Sequence, residues 1–177
     1  KRHLASPGIV ILTEPALRIE SRKLLRFREE LIKLWAERGE KDFRILLPCM
    51  GHQACGALTK ETDWCHEEAL WWRPPSMKKI DDLTGLDHRR LPFSYLVIAR
   101  GAELPNWGDT HRIVSDVSKA GPDWDFFTCG ADGKRRTRWS RAEAEKRSSE
   151  DVERGELFTD ATFAGSPEAS RMKLGRK

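Results

Sequence analysis

With 177 residues, 38% of them hydrophobic and 34% charged, the chain is long enough to bury a core and too apolar to be wholly disordered. Its net charge of +4 is a modest basic excess that tilts the expected partner toward an anion, and no apolar run reaches the roughly 18 to 20 residues that a membrane helix needs. Four cysteines are too few for a disulfide scaffold, which leaves clustered thiols in a reducing compartment, where they point to metal.

The first ten residues carry no signal-peptide pattern, and Lys1 opens almost directly onto a strand, an abrupt start that points to a longer protein. Gly8 to Thr13 is continuously apolar, as a strand buried on both faces would be, and Glu14-Pro15 closes it. From about Ile19 to Arg38, Leu24, Leu25, Leu31, Ile32 and Trp35 recur at helical spacing between charged residues, with Gly39 as a stop. Phe43 to Leu47 is a second buried strand. Strand, helix and strand together predict a right-handed crossover and a parallel α/β sheet.

Residues 48–91 break this alternation and form an insertion with three cysteines and three tryptophans but no long apolar period. Pro92 to Arg100 resumes the sheet. His111 to Val117 and Asp123 to Cys129, joined through Lys119-Ala120-Gly121-Pro122, are expected to pair antiparallel at its edge. The domain proper therefore spans 1–130, and 131–177 is read as a basic extension and tail that folds only against something else.

Cys49 stands just after the second strand, Cys55 and Cys65 lie in the insertion, and Cys129 ends the last core strand. A loop poor in core residues needs a cross-link to be ordered, and a metal supplies one. Four thiolates suit either tetrahedral zinc or a cubane iron–sulfur cluster. Structural zinc usually takes ligands in pairs two to four residues apart, and no such pair occurs here, so the spacing favours the cluster. His52 and His66, beside Cys49 and Cys65, are the alternative ligands.

The run Arg44-Ile45-Leu46-Leu47-Pro48-Cys49, then Gly51-His52, Cys55, Asp63-Trp64-Cys65-His66 and Phe93-Ser94-Tyr95-Leu96-Val97, resembles the methyltransferase-like family of mitochondrial small-ribosomal-subunit assembly factors and their bacterial relatives. Glu14-Pro15, Ser21-Arg22, Arg28 and Cys129 with Asp132-Gly133 extend the resemblance over roughly Gly8 to Arg147. Met50 and Gly56 depart from it, because the family carries prolines there. The resemblance implies the second half of a class I methyltransferase (Rossmann-like) fold, with a 4Fe-4S cluster on Cys49, Cys55, Cys65 and Cys129. It also implies association with small-subunit ribosomal RNA and ribosomal proteins, in the mitochondrial matrix or, for the bacterial relatives, the cytoplasm.

No G-x-G-x-G turn for S-adenosylmethionine occurs in this chain, so a cofactor half would have to come from another segment or chain. No catalytic residues are assigned: no Ser/His/Asp or Cys/His spacing is present, and Glu14 is the one carboxylate at a suggestive strand end. Positive charge gathers instead at Lys134, Arg135, Arg136, Arg138 and Arg141, extended by Lys146 and Arg147, with Trp139 among them as a ring for an unpaired base. Arg89-Arg90 is a weaker patch. These residues predict RNA binding.

Overall fold

The computed structural model describes residues 4–101, 107–146, 152–159 and 161–174. Its first sheet is built from β1 (Gly8–Pro15), β2 (Phe43–Leu47), β3 (Glu67–Leu70) and β4 (Arg90–Arg100), in the order β1-β4-β2, with β3 pairing the beginning of β4. Every one of these pairings is antiparallel to β4, so β1 and β2 run in the same direction on either side of it. The helix α1 (Arg18–Glu37) joins those two strands. The predicted strand, helix and strand are thus present, but the expected parallel sheet is corrected: a later strand is inserted between the two, and every ladder of this sheet is antiparallel. A second helix, α2 (Pro75–Thr84), lies within the insertion.

The packing explains the order. Leu24 and Trp35 of α1 bury against Ile45 of β2 and Leu96 and Ile98 of β4, with Val10 and Leu12 of β1 closing the cluster. Four consecutive buried residues, Leu96 to Ala99, mark β4 as the strand covered on both faces and hence the central one. Gly39, at φ +60°, ends α1 where the sequence expected a stop.

The chain then builds a second sheet from β5 (His111–Ile113), β6 (Asp123–Gly130), β7 (Gly133–Ser140), β8 (Leu157–Phe158), β9 (Ala161–Ala164) and β10 (Ser170–Leu174), in the order β8-β5-β6-β7-β10-β9. A short helix, α3 (Arg141–Lys146), follows β7. Two expectations are corrected here. The strands at His111 and Asp123 do pair antiparallel with each other, but in this separate sheet and not at the edge of the first. Nor do residues 131–177 form a tail: Trp139, Ala144, Val152, Phe158, Ala161 and Met172 meet Ile113, Trp124 and Phe126 in a core of their own.

The basic strip is divided by the pleat of β7. Arg136 and Arg138 face outward, whereas Thr137 and Trp139 are buried. Trp139 is 1% exposed and packs edge-on against Trp124 at 5.9 Å and Phe158 at 5.7 Å. It cannot stack on a base, which corrects the sequence reading. A Trp139→Ala change should therefore destabilise the fold by about 3–5 kcal/mol in urea unfolding, the usual cost of emptying a large aromatic site.

Candidate metal centre

The four cysteines meet. Cys49, Cys55, Cys65 and Cys129 line one cavity together with Trp64 and Lys134, with Leu25 of α1 and Val114 among its apolar walls. Three thiols belong to the excursion from the first sheet and the fourth to β6 of the second, so the cavity lies at the junction of the two.

Side chains of α1 hold the excursion in place. Arg22 donates from Nη1 to the carbonyls of Ala57 (3.1 Å), Lys60 (2.7 Å) and Asp63 (2.6 Å). Arg28, 1% exposed, donates from Nη2 to Gly51 O at 2.7 Å and Gln53 O at 3.1 Å, and pairs with Glu29. Ser94 Oγ of β4 hydrogen-bonds both the Ser21 hydroxyl (2.6 Å) and the Cys65 carbonyl (2.9 Å). From the other side, Gln53 Nε2 donates to Gly130 O at 2.6 Å, and Lys134 pairs with Asp63. A loop with little core of its own is thereby fixed through its backbone carbonyls.

Sheet register sets the electrostatics. Cys129 has Lys134 directly opposite on β7 and Arg112 directly opposite on β5. Arg112 is itself buried against Glu67, with 2.9 Å between Nη2 and Oε1. Burial pushes the Cys49, Cys55 and Cys65 thiols up, and Cys129 up to about 12; neighbouring thiolates add to the rise at Cys49, Cys65 and Cys129, and the Glu29 carboxylate adds to it at Cys55. Arg28 opposes this at Cys49 through its charge and a hydrogen bond, and Arg112 at Cys65 through its charge. Three cations around four thiols are suited to a centre with net negative charge.

The donor set fits a thiolate-ligated metal. A second fitting feature is the buried indole N–H of Trp64, which has no hydrogen-bond partner although its ring lines the cavity. Sulfur coordinated to a metal accepts such donors. Among the described residues no three His, Cys, Asp or Glu side chains close around a point as one bound ion requires.

The raised thiols carry a sign that can be tested. In the metal-free chain their folded pKa values exceed the unfolded ones, so the stability they contribute is present below about pH 8.5 and is lost as pH rises above it. A loaded centre should behave oppositely, holding through alkaline pH and failing on acidification as protons compete for sulfur. Thermal melts of stripped and loaded protein across pH check both.

The other expected residues lie elsewhere. His52 Nε2 accepts the Ile45 N–H at 3.2 Å, and His66 stacks on Trp64 at 5.7 Å; neither lines the thiol cavity. The remaining histidines, for which the sequence suggests no role, are apart from the cavity: His88 pairs with Asp81, His111 Nε2 lies 2.9 Å from Asp132, and His3 falls outside the described residues. Arg135 is held by Asp132 and Ser170, Arg136 and Arg138 by Asp125, and Arg141 by Glu145. Arg89 pairs with Asp87. Arg147 lies outside the described residues, as does the Lys146 side chain. Site reasoning from residue type alone missed Arg112 and the clamping work of Arg22, Arg28 and Ser94. A signal was present, because Ser21 and Arg28 share a helical face with Leu24 and Leu25 and so sit where apolar residues belong.

Comparison with known proteins finds no family model that matches the chain and no match among curated proteins.

Proposed function

We propose that the chain is an assembly or structural factor of the small ribosomal subunit, which binds rRNA through a methyltransferase-like domain ordered by a 4Fe-4S cluster on Cys49, Cys55, Cys65 and Cys129. The observation that carries it is the convergence of these four thiols, from the excursion and the second sheet, on one cavity lined by Lys134, with the charges of Arg28 and Arg112 acting on Cys49 and Cys65. The wide steps between the cysteines in the sequence support a cluster over a single zinc ion. The cluster would supply cross-linking between the two sheets. The chain's own residues orient its ligands and balance its charge.

The sheet supports the fold reading. Two parallel strands joined through a helix, with an antiparallel strand inserted between them, is the pattern with which a class I methyltransferase sheet ends. The resemblance in the cysteine loop and at Phe93 to Val97 supports the family and, with it, the ribosomal setting in mitochondria or bacteria. No helix among the described residues is long and apolar enough to cross a membrane.

The test is direct. Anaerobically purified protein should hold iron and sulfide at about four each per chain and bind small-subunit rRNA, and chelation should remove metal and binding together. Stoichiometric zinc without iron overturns the cluster.

A second reading is an active S-adenosylmethionine-dependent RNA methyltransferase whose cofactor half comes from another segment or chain. β1 favours it: the strand is apolar on both faces, yet Ile9 and Ile11 are 56% and 65% exposed, and its outer edge is unpaired among the described residues. Further strands and a covering helix would bury both. Methyl transfer to rRNA by a longer form of the protein would decide for this reading.

A further inference from the structure

A groove of about 620 Å³ lies between the cysteine excursion and the second sheet, a volume within the roughly 300–1,000 Å³ of sites that hold small organic groups. The excursion contributes Lys60, Trp64 and His66, and the second sheet with its loops contributes Phe127, Arg136 and Arg154. Trp64 and His66 stack with 22° between their rings. Phe127, 38% exposed despite its size, has the Lys134 ammonium 4.7 Å from its ring centroid.

Charge in the groove is arranged unevenly. Lys134 pairs with Asp63, Arg136 with Asp125 through two hydrogen bonds of 2.9 and 2.7 Å, and Arg154 with Asp116 at 3.0 Å. Glu168 is the other carboxylate on the groove wall. Lys60 is exposed and, among the described residues, has no carboxylate within ion-pair reach, while its carbonyl is fixed by Arg22. Flat rings alternating with cations in an open cleft match an unpaired base and its phosphate. An acidic peptide would leave the rings unused, and a duplex hides the faces of its bases.

We propose that this groove binds a single-stranded segment of RNA, with a base against the aromatic wall and backbone phosphates on Lys60, Arg136 and Arg154. The inference rests on the rRNA-binding reading and gives that binding a location. Trp64 lines both the groove and the thiol cavity, so the aromatic wall is fixed by the same loop that carries the cysteines.

The experiment uses the metal-loaded full chain and a labelled single strand of about 12 nucleotides, with the same sequence as a duplex for comparison, read by fluorescence anisotropy. Phe127→Ala and Lys60→Ala are the variants, since neither residue lines the thiol cavity. The single strand should bind more tightly than the duplex. Phe127→Ala should weaken it about tenfold. Lys60→Ala should weaken it a few-fold and reduce the slope of log affinity against log salt by about one. Iron content and melting temperature should stay at wild-type values in both. Unchanged strand affinity in both variants, with small-subunit rRNA still bound, overturns the groove and leaves the rRNA reading standing. Failure of the loaded wild type to bind any RNA overturns both. Displacement of the strand by micromolar uridine monophosphate would assign the groove to a free nucleotide and overturn the proposal.

Discussion

Replacing Cys129 by serine is expected to abolish iron binding and to destabilise the whole chain, although the change is one atom at a half-buried position in a strand. Three thiols would remain in the excursion from the first sheet, and the second sheet would no longer contribute a ligand. Thiolate–metal bonding contributes folding free energy directly, on the order of 10 kcal/mol in small zinc-dependent folds. Even a fraction of that exceeds the usual effect of a polar substitution, about 1 kcal/mol. The measurements are iron and sulfide content, visible absorption, and the urea midpoint of wild type and variant, each before and after chelation. In stripped protein the two should unfold within about 1 kcal/mol of each other, and in loaded protein they should separate widely. Equal midpoints in both conditions would show that the thiols do not act through a shared metal.

Arg28→Met is the second change with a large expected effect. The guanidinium is buried, donates to Gly51 and Gln53, and faces Cys49. Removing it leaves two loop carbonyls without that donor, and with the proposed cluster bound it would leave an anionic centre short of one positive charge. Breaking a buried charge contact from one side typically costs about 3–5 kcal/mol. Because part of this loss arises only when the thiols are ionised and metal-bound, the cost should be larger in loaded than in stripped protein. The difference between the two is the coupling between Arg28 and the centre. Arg28→Lys, which keeps the charge but loses the planar fork, should retain metal while lowering the melting temperature. If Arg28→Met costs the same with and without metal, the residue is a loop clamp only.

Much of the first sheet was legible because its signals are local. The apolar run of β1, the helical period of α1 and the short strand β2 each announce themselves within a window of a few residues, and Gly39 marks the stop between the last two. The second sheet was not legible for the opposite reason. Its core takes one or two residues from each of many short elements, such as Phe158 from β8, Ala161 from β9 and Met172 from β10, so no segment shows a period. In β7 the alternation of Arg136, Thr137, Arg138 and Trp139 was present, but the density of charge read more strongly as a solvated strip. The thiol cavity was legible as a set of residue types. The cations around it were not, since Arg112 and Lys134 are brought beside the thiols by standing opposite Cys129 in the strand register, which sequence separation does not reveal. Arg22 and Arg28 carry charge on a helix that is charged all along its outer face, and only their position beside Ser21, Leu24 and Leu25 sets them apart.

The placement of Cys129 has a consequence for the order of events during biosynthesis. Three sulfurs emerge early, within Cys49 to Cys65, but the fourth stands in a strand whose own pairings with β5 and β7 are local. It meets the others only when that strand docks on the excursion, through contacts such as the Gln53–Gly130 hydrogen bond, which are distant in sequence and therefore slow to form. Under the proposed cluster, insertion of the metal would then act as a checkpoint: a nascent or truncated chain would offer an incomplete ligand shell, and only a molecule with both sheets formed could close it.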